Sequence, residues 1–282
     1  MTVLSDLRGS RELLTNLTLR EVRGKYKRTA LGQAWSLVNP LTTMLIYTVV
    51  FALVFRIAPP VGDPSGLDSY ALWLVCGLLP FNFFSAALVG GMGSLLSNAN
   101  LVKKVYFRRE ILVTSTVLAW LVTLFTELAV LVVVLLVFGG MPLPYLPLVV
   151  LAAVVLMLFT LGLALILSVF NVYFRDTQHF VSILVQILFY ATPILYPVSL
   201  VEDAAARFEE SGRTLLGWDV PIMTIYQLNP LERFLSVFRN MLYDNRLPEL
   251  GDVVFCLVAT GLSLAIGRWT FMRYEGRLAE EL

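Results

Sequence analysis

Charge is scarce in this chain. Of its 282 residues only 15% are charged, 58% are hydrophobic, and the mean hydropathy is +0.78. A soluble domain carries about 25% charged residues, so a water-soluble fold is excluded. Histidine occurs once, at His179, and lysine only four times. A histidine-based catalytic or metal centre therefore has nothing to be built from. The two cysteines, Cys76 and Cys256, each lie in an apolar run, without disulfide or metal-ligand spacing, and read as small buried hydrophobes. The sequence also lacks a G-x-x-x-x-G-K-[ST] phosphate loop, a dinucleotide glycine fingerprint, H-E-x-x-H and G-x-S-x-G. Energy for any uphill movement has to come from elsewhere. A signal peptide is not expected either, because a charged segment precedes the first apolar run.

What the chain does have is apolar length. A helix crosses the ~30 Å hydrocarbon layer with about 20 residues. Six stretches qualify: Leu37–Phe55, Tyr70–Gly91, Ile111–Phe138, Tyr145–Phe170, Phe180–Tyr196 and Val253–Phe271. The third and fourth exceed the minimum and have room to tilt. Basic residues collect at alternate connections. Fifteen of the 21, including all four lysines, fall before the first span, between the second and third, between the fourth and fifth, and around the end of the sixth. By the positive-inside rule both termini are cytoplasmic. The reading is one all-α integral membrane domain over 1–282, with no nucleic-acid partner indicated by a net charge of +1. Within it, 1–34 is a cytoplasmic interface segment, 37–196 holds spans one to five, 197–251 is external, 253–271 is span six and 272–282 a cytoplasmic tail.

Few polar features stand out from this background. In Leu4 to Arg28, Leu4, Leu7, Leu14 and Val22 share one helical side with Arg11 intruding. That suits an amphipathic helix lying at the membrane surface, or a basic flank that merely sets topology. The stretch Leu95 to Arg109 repeats Leu101, Val105 and Arg108 at helical spacing. It reads as a short basic helix able to dock in a partner's groove, or as a charge anchor. The connection Asn171 to Gln178 is short and its charges cancel, a poor topogenic signal that favours a specific contact there. Glu127 sits deep in the third apolar run, where a carboxylate costs about 2.5–3.5 kcal/mol on insertion scales. It either lines a path, bonds a sugar hydroxyl or another helix, or packs against a neighbour such as Thr123. Pro80 removes a backbone donor in mid-span and is expected to kink or break that helix. Phe81, Phe83, Phe84, Tyr190 and Tyr196 offer faces for sugar rings, or serve as packing and interfacial belt. Asn229 has the signature of an N-cap, with Pro230 at the first helical position and Glu232 at the third. Leu231, Phe234, Leu235, Phe238, Met241 and Leu242 then form one apolar stripe, with Arg233 and Arg239 elsewhere.

The run from Gly24 to Pro40, with Tyr26, Lys27, Leu31, Gly32, Trp35 and Pro40, resembles the membrane subunits of ABC-2-type polysaccharide exporters. These are the permeases of O-antigen, teichoic-acid and related cell-envelope glycan transporters. Leu79-Pro80-Phe81, Tyr173-Phe174-Arg175-Asp176, Thr192-Pro193-Ile194 and Leu228-Asn229-Pro230 extend the likeness in family order along the chain. The resemblance implies a homodimer in the bacterial inner membrane, paired with two copies of a separate ATPase that binds ATP and Mg. The permease itself would hold no cofactor or metal and catalyse nothing. It implies coupling to the ATPase through a helix including Asn98, Asn100, Lys103, Lys104, Tyr106 and Phe107, and through Tyr173, Arg175 and Asp176. A path past Glu127, Phe81, Phe84 and Tyr190 would carry a polyprenyl-diphosphate-linked glycan outward. Tyr26, Lys27, Gly32 and Trp35 would mark the interface segment, and re-entrant external helices with Asn229, Pro230 and Arg233 an outer gate. Seventeen arginines against four lysines suggest a GC-rich genome and lean slightly toward a cell-wall galactan or teichoic-type polymer. Two other functions stay open: an ABC-2 drug or lipid exporter, and a membrane-embedded glycosyl- or acyltransferase using Glu202, Asp203, Glu209 or Glu210.

Overall fold

The computed structural model describes residues 3–25, 27, 32–54, 60–105, 107–210, 226 and 228–281, and among them there is no strand. Helix α1 spans Val3–Lys25, and α2, Trp35–Tyr47, continues as a π-wound stretch over Thr48–Val54. Then follow α3 (Tyr70–Ser97), α4 (Ala99–Lys104), α5 (Glu110–Val137), α6 (Leu146–Tyr173) and α7 (Thr177–Ala191). The chain closes with α8 (Val198–Glu210), α9 (Pro230–Leu242), α10 (Leu250–Tyr274) and α11 (Leu278–Glu281).

Among the described residues four helices are long and apolar enough to cross a bilayer: α3, α5, α6 and α10. At 28 residues, α3, α5 and α6 reach about 42 Å at 1.5 Å per residue and project beyond the hydrocarbon. Each coincides with an expected span; α3 runs six residues further, to Ser97, and α6 three further, to Tyr173, while α5 is offset from its span by one residue. The expected first span falls on α2 and its π-wound continuation, with Phe55 outside the described residues. The expected fifth span falls on α7, which begins earlier than anticipated, at Thr177, and ends at Ala191. Fifteen residues make about 22 Å, short of a full crossing. The turn through Thr192, Pro193 and Ile194 stops it.

Pro80 does not break its helix; α3 runs through it without interruption. Neighbouring helices surround α3 along most of its length, α5, α6, α7 and α9 all packing on it, and a proline in a buried membrane helix is tolerated under such support. Helices α6 and α10 make the closest approach. A Cβ on Gly267 would collide with the Gly162 carbonyl, and one on Gly162 with the Ser263 backbone. Ser263 Oγ also donates to the Phe159 carbonyl at 3.1 Å. Small residues at a crossing let backbones touch where lipid offers no hydrophobic driving force.

Cross-links sort the helix ends into two groups. Asn171 Nδ2 donates to the Met92 carbonyl (3.4 Å), the Arg109 N–H to Glu275 Oε1 (3.0 Å), and Tyr173 meets Tyr274 edge to face at 6.0 Å. At the other end Tyr70 donates to the Leu195 carbonyl (2.6 Å) and Tyr243 to that of Leu67 (2.8 Å). The first group carries Lys103, Lys104, Arg108, Arg109, Arg175 and Arg273 and is called the basic end; the second is the far end.

Candidate functional site

At the basic end, α4 is a six-residue helix that follows α3 directly. Val102 is its buried anchor, while Asn100, Lys103 and Lys104 are exposed and enter no ion pair among the described residues. Asn98, expected to contact a partner, is partly occupied within the chain. Its Nδ2 donates to the Ser94 carbonyl (2.9 Å), and its Oδ1 accepts from Arg20 Nη2 (2.7 Å). That link joins α1 to the end of α3. Phe107 is half-buried; Tyr106 lies outside the described residues. The second expected contact is a turn between α6 and α7, with Phe174, Arg175 and Asp176 exposed and Tyr173 half-buried. One contributor was missed from sequence. Glu275 receives both the backbone N–H and the guanidinium of Arg109, the latter through its carbonyl, so the chain's last helices brace the start of α5.

Helix α1 packs along α5. Leu17 is buried in the core, with Leu13 and Leu14 packed against it; Leu14 belongs to the expected stripe, and the side chains of Leu4 and Leu7 lie outside the described residues. At its end, Lys25 Nζ sits 3.1 Å from the Trp120 ring centroid and donates to Thr123 Oγ1 at 3.0 Å. A cation over an indole face is an attractive pairing. Lys25 also interacts electrostatically with Glu127, four residues beyond Thr123. The lone carboxylate of the third apolar run thus has a cationic companion more than one hundred positions away in sequence. Of the interface motif, Lys27 is exposed, Gly32 has a left-handed φ of +53° and Trp35 is 39% exposed, while Tyr26 lies outside the described residues.

The expected pathway aromatics separate. Phe81 and Phe84 are buried, at 3% and 2% exposure, whereas Tyr190 is 61% exposed. Phe81 meets Phe189 edge to face (5.4 Å), Phe84 stacks on Phe159 (6.1 Å) and Phe159 touches Phe234 (5.5 Å). Within one subunit this ladder is packing that ties α3 and α6 to α9.

At the far end the N-cap expectation holds. Asn229 Oδ1 accepts from the Leu231 N–H at 3.0 Å, and its Nδ2 donates to Thr192 Oγ1 at 2.9 Å. All six residues of the apolar stripe are buried. Arg239 departs from expectation by being buried with them. Its Nη1 donates to the Pro193 carbonyl (2.5 Å), its Nη2 to that of Ile194 (3.1 Å) and its Nε to that of Trp73 (3.4 Å). The guanidinium also lies 3.8 Å from the Trp73 ring centroid. Gly77 makes room for it, since a Cβ there would fall 2.7 Å from Nη2. Burial draws the Arg239 pKa down to about 10, so it stays cationic at neutral pH. Two separate sequence motifs, Thr192-Pro193-Ile194 and Leu228-Asn229-Pro230, therefore meet in space through Asn229 and Arg239. Arg233 donates to Asp252 Oδ1 (2.5 Å) and Ser236 to Asp252 Oδ2 (3.0 Å), fastening α9 to the start of α10. Of the acids considered for a transferase, Glu202 and Asp203 are exposed on α8, with no histidine near by in sequence; the side chains of Glu209 and Glu210 lie outside the described residues.

The family model described as "ABC-2 type transporter" matches residues 12–208. The chain belongs to the ABC-2 transporter family. It is 31% identical over 262 residues to the O-antigen export system permease protein RfbA of Myxococcus xanthus, covering 93% of this chain and 92% of that protein. An RfbA of Klebsiella pneumoniae is 29% identical over 273 residues, covering 96% and 95%. The polysialic acid transport protein KpsM of Escherichia coli is 23% identical over 188 residues, covering 64% and 69%. As an ABC-2 membrane subunit the chain is a multi-helix membrane protein, and families of this kind work with an ATPase.

Proposed function

We propose that this protein is the permease of an ATP-driven exporter that moves a polyprenyl-diphosphate-linked polysaccharide from the cytoplasmic side outward. Two copies would assemble with two copies of a separate ATPase in the bacterial inner membrane. The near full-length similarity to permeases named for O-antigen export carries this reading. It outweighs the slight lean toward galactan or teichoic polymers that the arginine content suggested. On this reading α2 with its π-wound continuation, and α7 with the turn that follows, complete six spans. Both termini then lie in the cytoplasm with the basic end.

The geometry supports a division of labour. Exposed Lys103, Lys104, Arg175 and Asp176 face the ATPase, while α1, held by Asn98 and by Trp120, transmits its movement to α5. Glu127, within electrostatic reach of Lys25, faces the path that the glycan follows between the two subunits. Asn229, Pro230 and Arg233 fix the re-entrant helix α9 that closes the outer side. The permease contributes no chemistry; it supplies a route and a lever. Depleting the protein tests this. A lipid-linked glycan is expected to accumulate on the cytoplasmic side, with its surface counterpart lost. Normal surface glycan with accumulation of an apolar small molecule instead would point to a drug or lipid exporter.

A further inference from the structure

The far end contains a cavity of about 330 Å³ that the gate description leaves unused. It lies between α9, the start of α8 and the 60–63 segment. Its polar wall is Asp63, Glu232, Asn240, Asp244 and Arg246, and Pro60, Val61, Pro193 and Pro197 form its apolar rim. This volume falls in the range of small-ligand sites, about 300–1,000 Å³.

Glu232 marks it as a built site. The residue is only 7% exposed, yet its Oε2 has no hydrogen-bond partner among the described residues. Arg233 Nε makes an ion pair with this oxygen at 3.4 Å without hydrogen-bond geometry, which fixes the carboxylate in the cavity wall. Asn240, 4% exposed, has its Oδ1 engaged by Arg246 Nε and Nη2 at 3.0 and 2.9 Å. Its Nδ2 is thereby oriented as a donor. Acceptor, donor and apolar rim together describe a hydroxyl-rich ring with one C–H face.

We infer that this cavity is an external glycan subsite, in which Glu232 accepts from and Asn240 donates to one sugar unit of the exported polymer. The inference rests on the export reading and adds where the polymer is held as it leaves. A phosphate fits poorly. Asp63, Glu232 and Asp244 face the cavity together with Arg239 and Arg246, and both cations are engaged, Arg239 by backbone carbonyls and Arg246 by Asn240 and Asp244. Burial raises the Glu232 carboxyl to about 7 and also raises that of Asp244, which lowers the site's negative charge toward neutrality and suits an uncharged polyol.

The test uses the full chain with its ATPase in nanodiscs, probed by ligand-observed NMR. The probes are oligosaccharides released by mild acid from the cell's own lipid-linked glycan, and inorganic phosphate. Saturable oligosaccharide binding is expected, weakened about tenfold by Glu232→Ala and by Val61→Trp. The second variant fills the cavity from an exposed rim position and leaves its polar groups in place. No phosphate binding is expected. Oligosaccharide binding that is absent, or unchanged in an inserted Val61→Trp, overturns the subsite, as does binding of phosphate alone. The depletion phenotype is read separately. If glycan accumulates but no binding occurs, the subsite fails and export stands; if no glycan accumulates, the export reading fails.

Discussion

The two ends of this protein treat charge in opposite ways. At the far end, Arg239 is buried and donates to three carbonyls, Asn229 caps one helix while gripping another segment, and Arg233 and Ser236 share Asp252. At the basic end Lys103, Lys104, Arg175 and Asp176 are exposed and enter no ion pair among the described residues. Satisfied buried donors fix a geometry, because breaking any one strands its partners in a dry environment. Exposed charges on a short helix contribute little stability but remain available to another protein. One end is thus built to hold a shape and the other to be held.

The contrast breaks hardest at Arg239. Replacing it with Ala leaves the carbonyls of Pro193, Ile194 and Trp73 without that donor and opens a void beside Gly77. A loss of about 3 kcal/mol or more is expected, seen as a large fall in melting temperature of the detergent-solubilised protein. A stability change within experimental error would mean the far end is not held as described.

Charge reversal at the basic end should do the converse. For Lys103→Glu with Lys104→Glu, or Arg175→Glu, the melting temperature should stay within a degree or two. Export should fall at least tenfold while the ATPase goes on hydrolysing ATP. Unimpaired export would remove α4 and the 173–176 turn from the docking surface.

A smaller effect sharpens the same comparison. Burial raises the Glu232 carboxyl to about 7 from its ordinary value of 4.5. The folded state therefore binds this proton more tightly than the unfolded chain. The stability it contributes is fully present below about pH 4.5 and is lost as pH rises through 7. Glu232→Gln should flatten that decline, gaining most above pH 7, in melting curves taken from pH 5 to 8. An unchanged slope would show that Glu232 is more solvated than the fold implies.

Much of the fold was legible because lipid is an undemanding solvent to read. Helices α3, α5, α6 and α10 follow from uninterrupted apolar length, and α9 from the Asn229-Pro230 start and its periodic stripe. What escaped was long-range. A helical projection placed Arg239 off the apolar stripe, as though solvated. Its burial depends on carbonyls at 193 and 194, which no local pattern reveals. Glu127 looked solitary because Lys25 belongs to a different helix. Pro80 looked able to break its helix because its packed surroundings are invisible in sequence. The shortness of α7 was foreshadowed by Thr192-Pro193-Ile194, where an X-Pro step disfavours helix.

The proposed function requires the protein to be a conduit driven by a separate ATPase. Reconstituting the purified chain in proteoliposomes with the lipid-linked glycan, with and without that ATPase, measures this directly. ATP-dependent movement of the glycan across the bilayer is predicted only when both proteins are present. Transport by this chain alone, or chemical conversion of the glycan by it, would contradict the account.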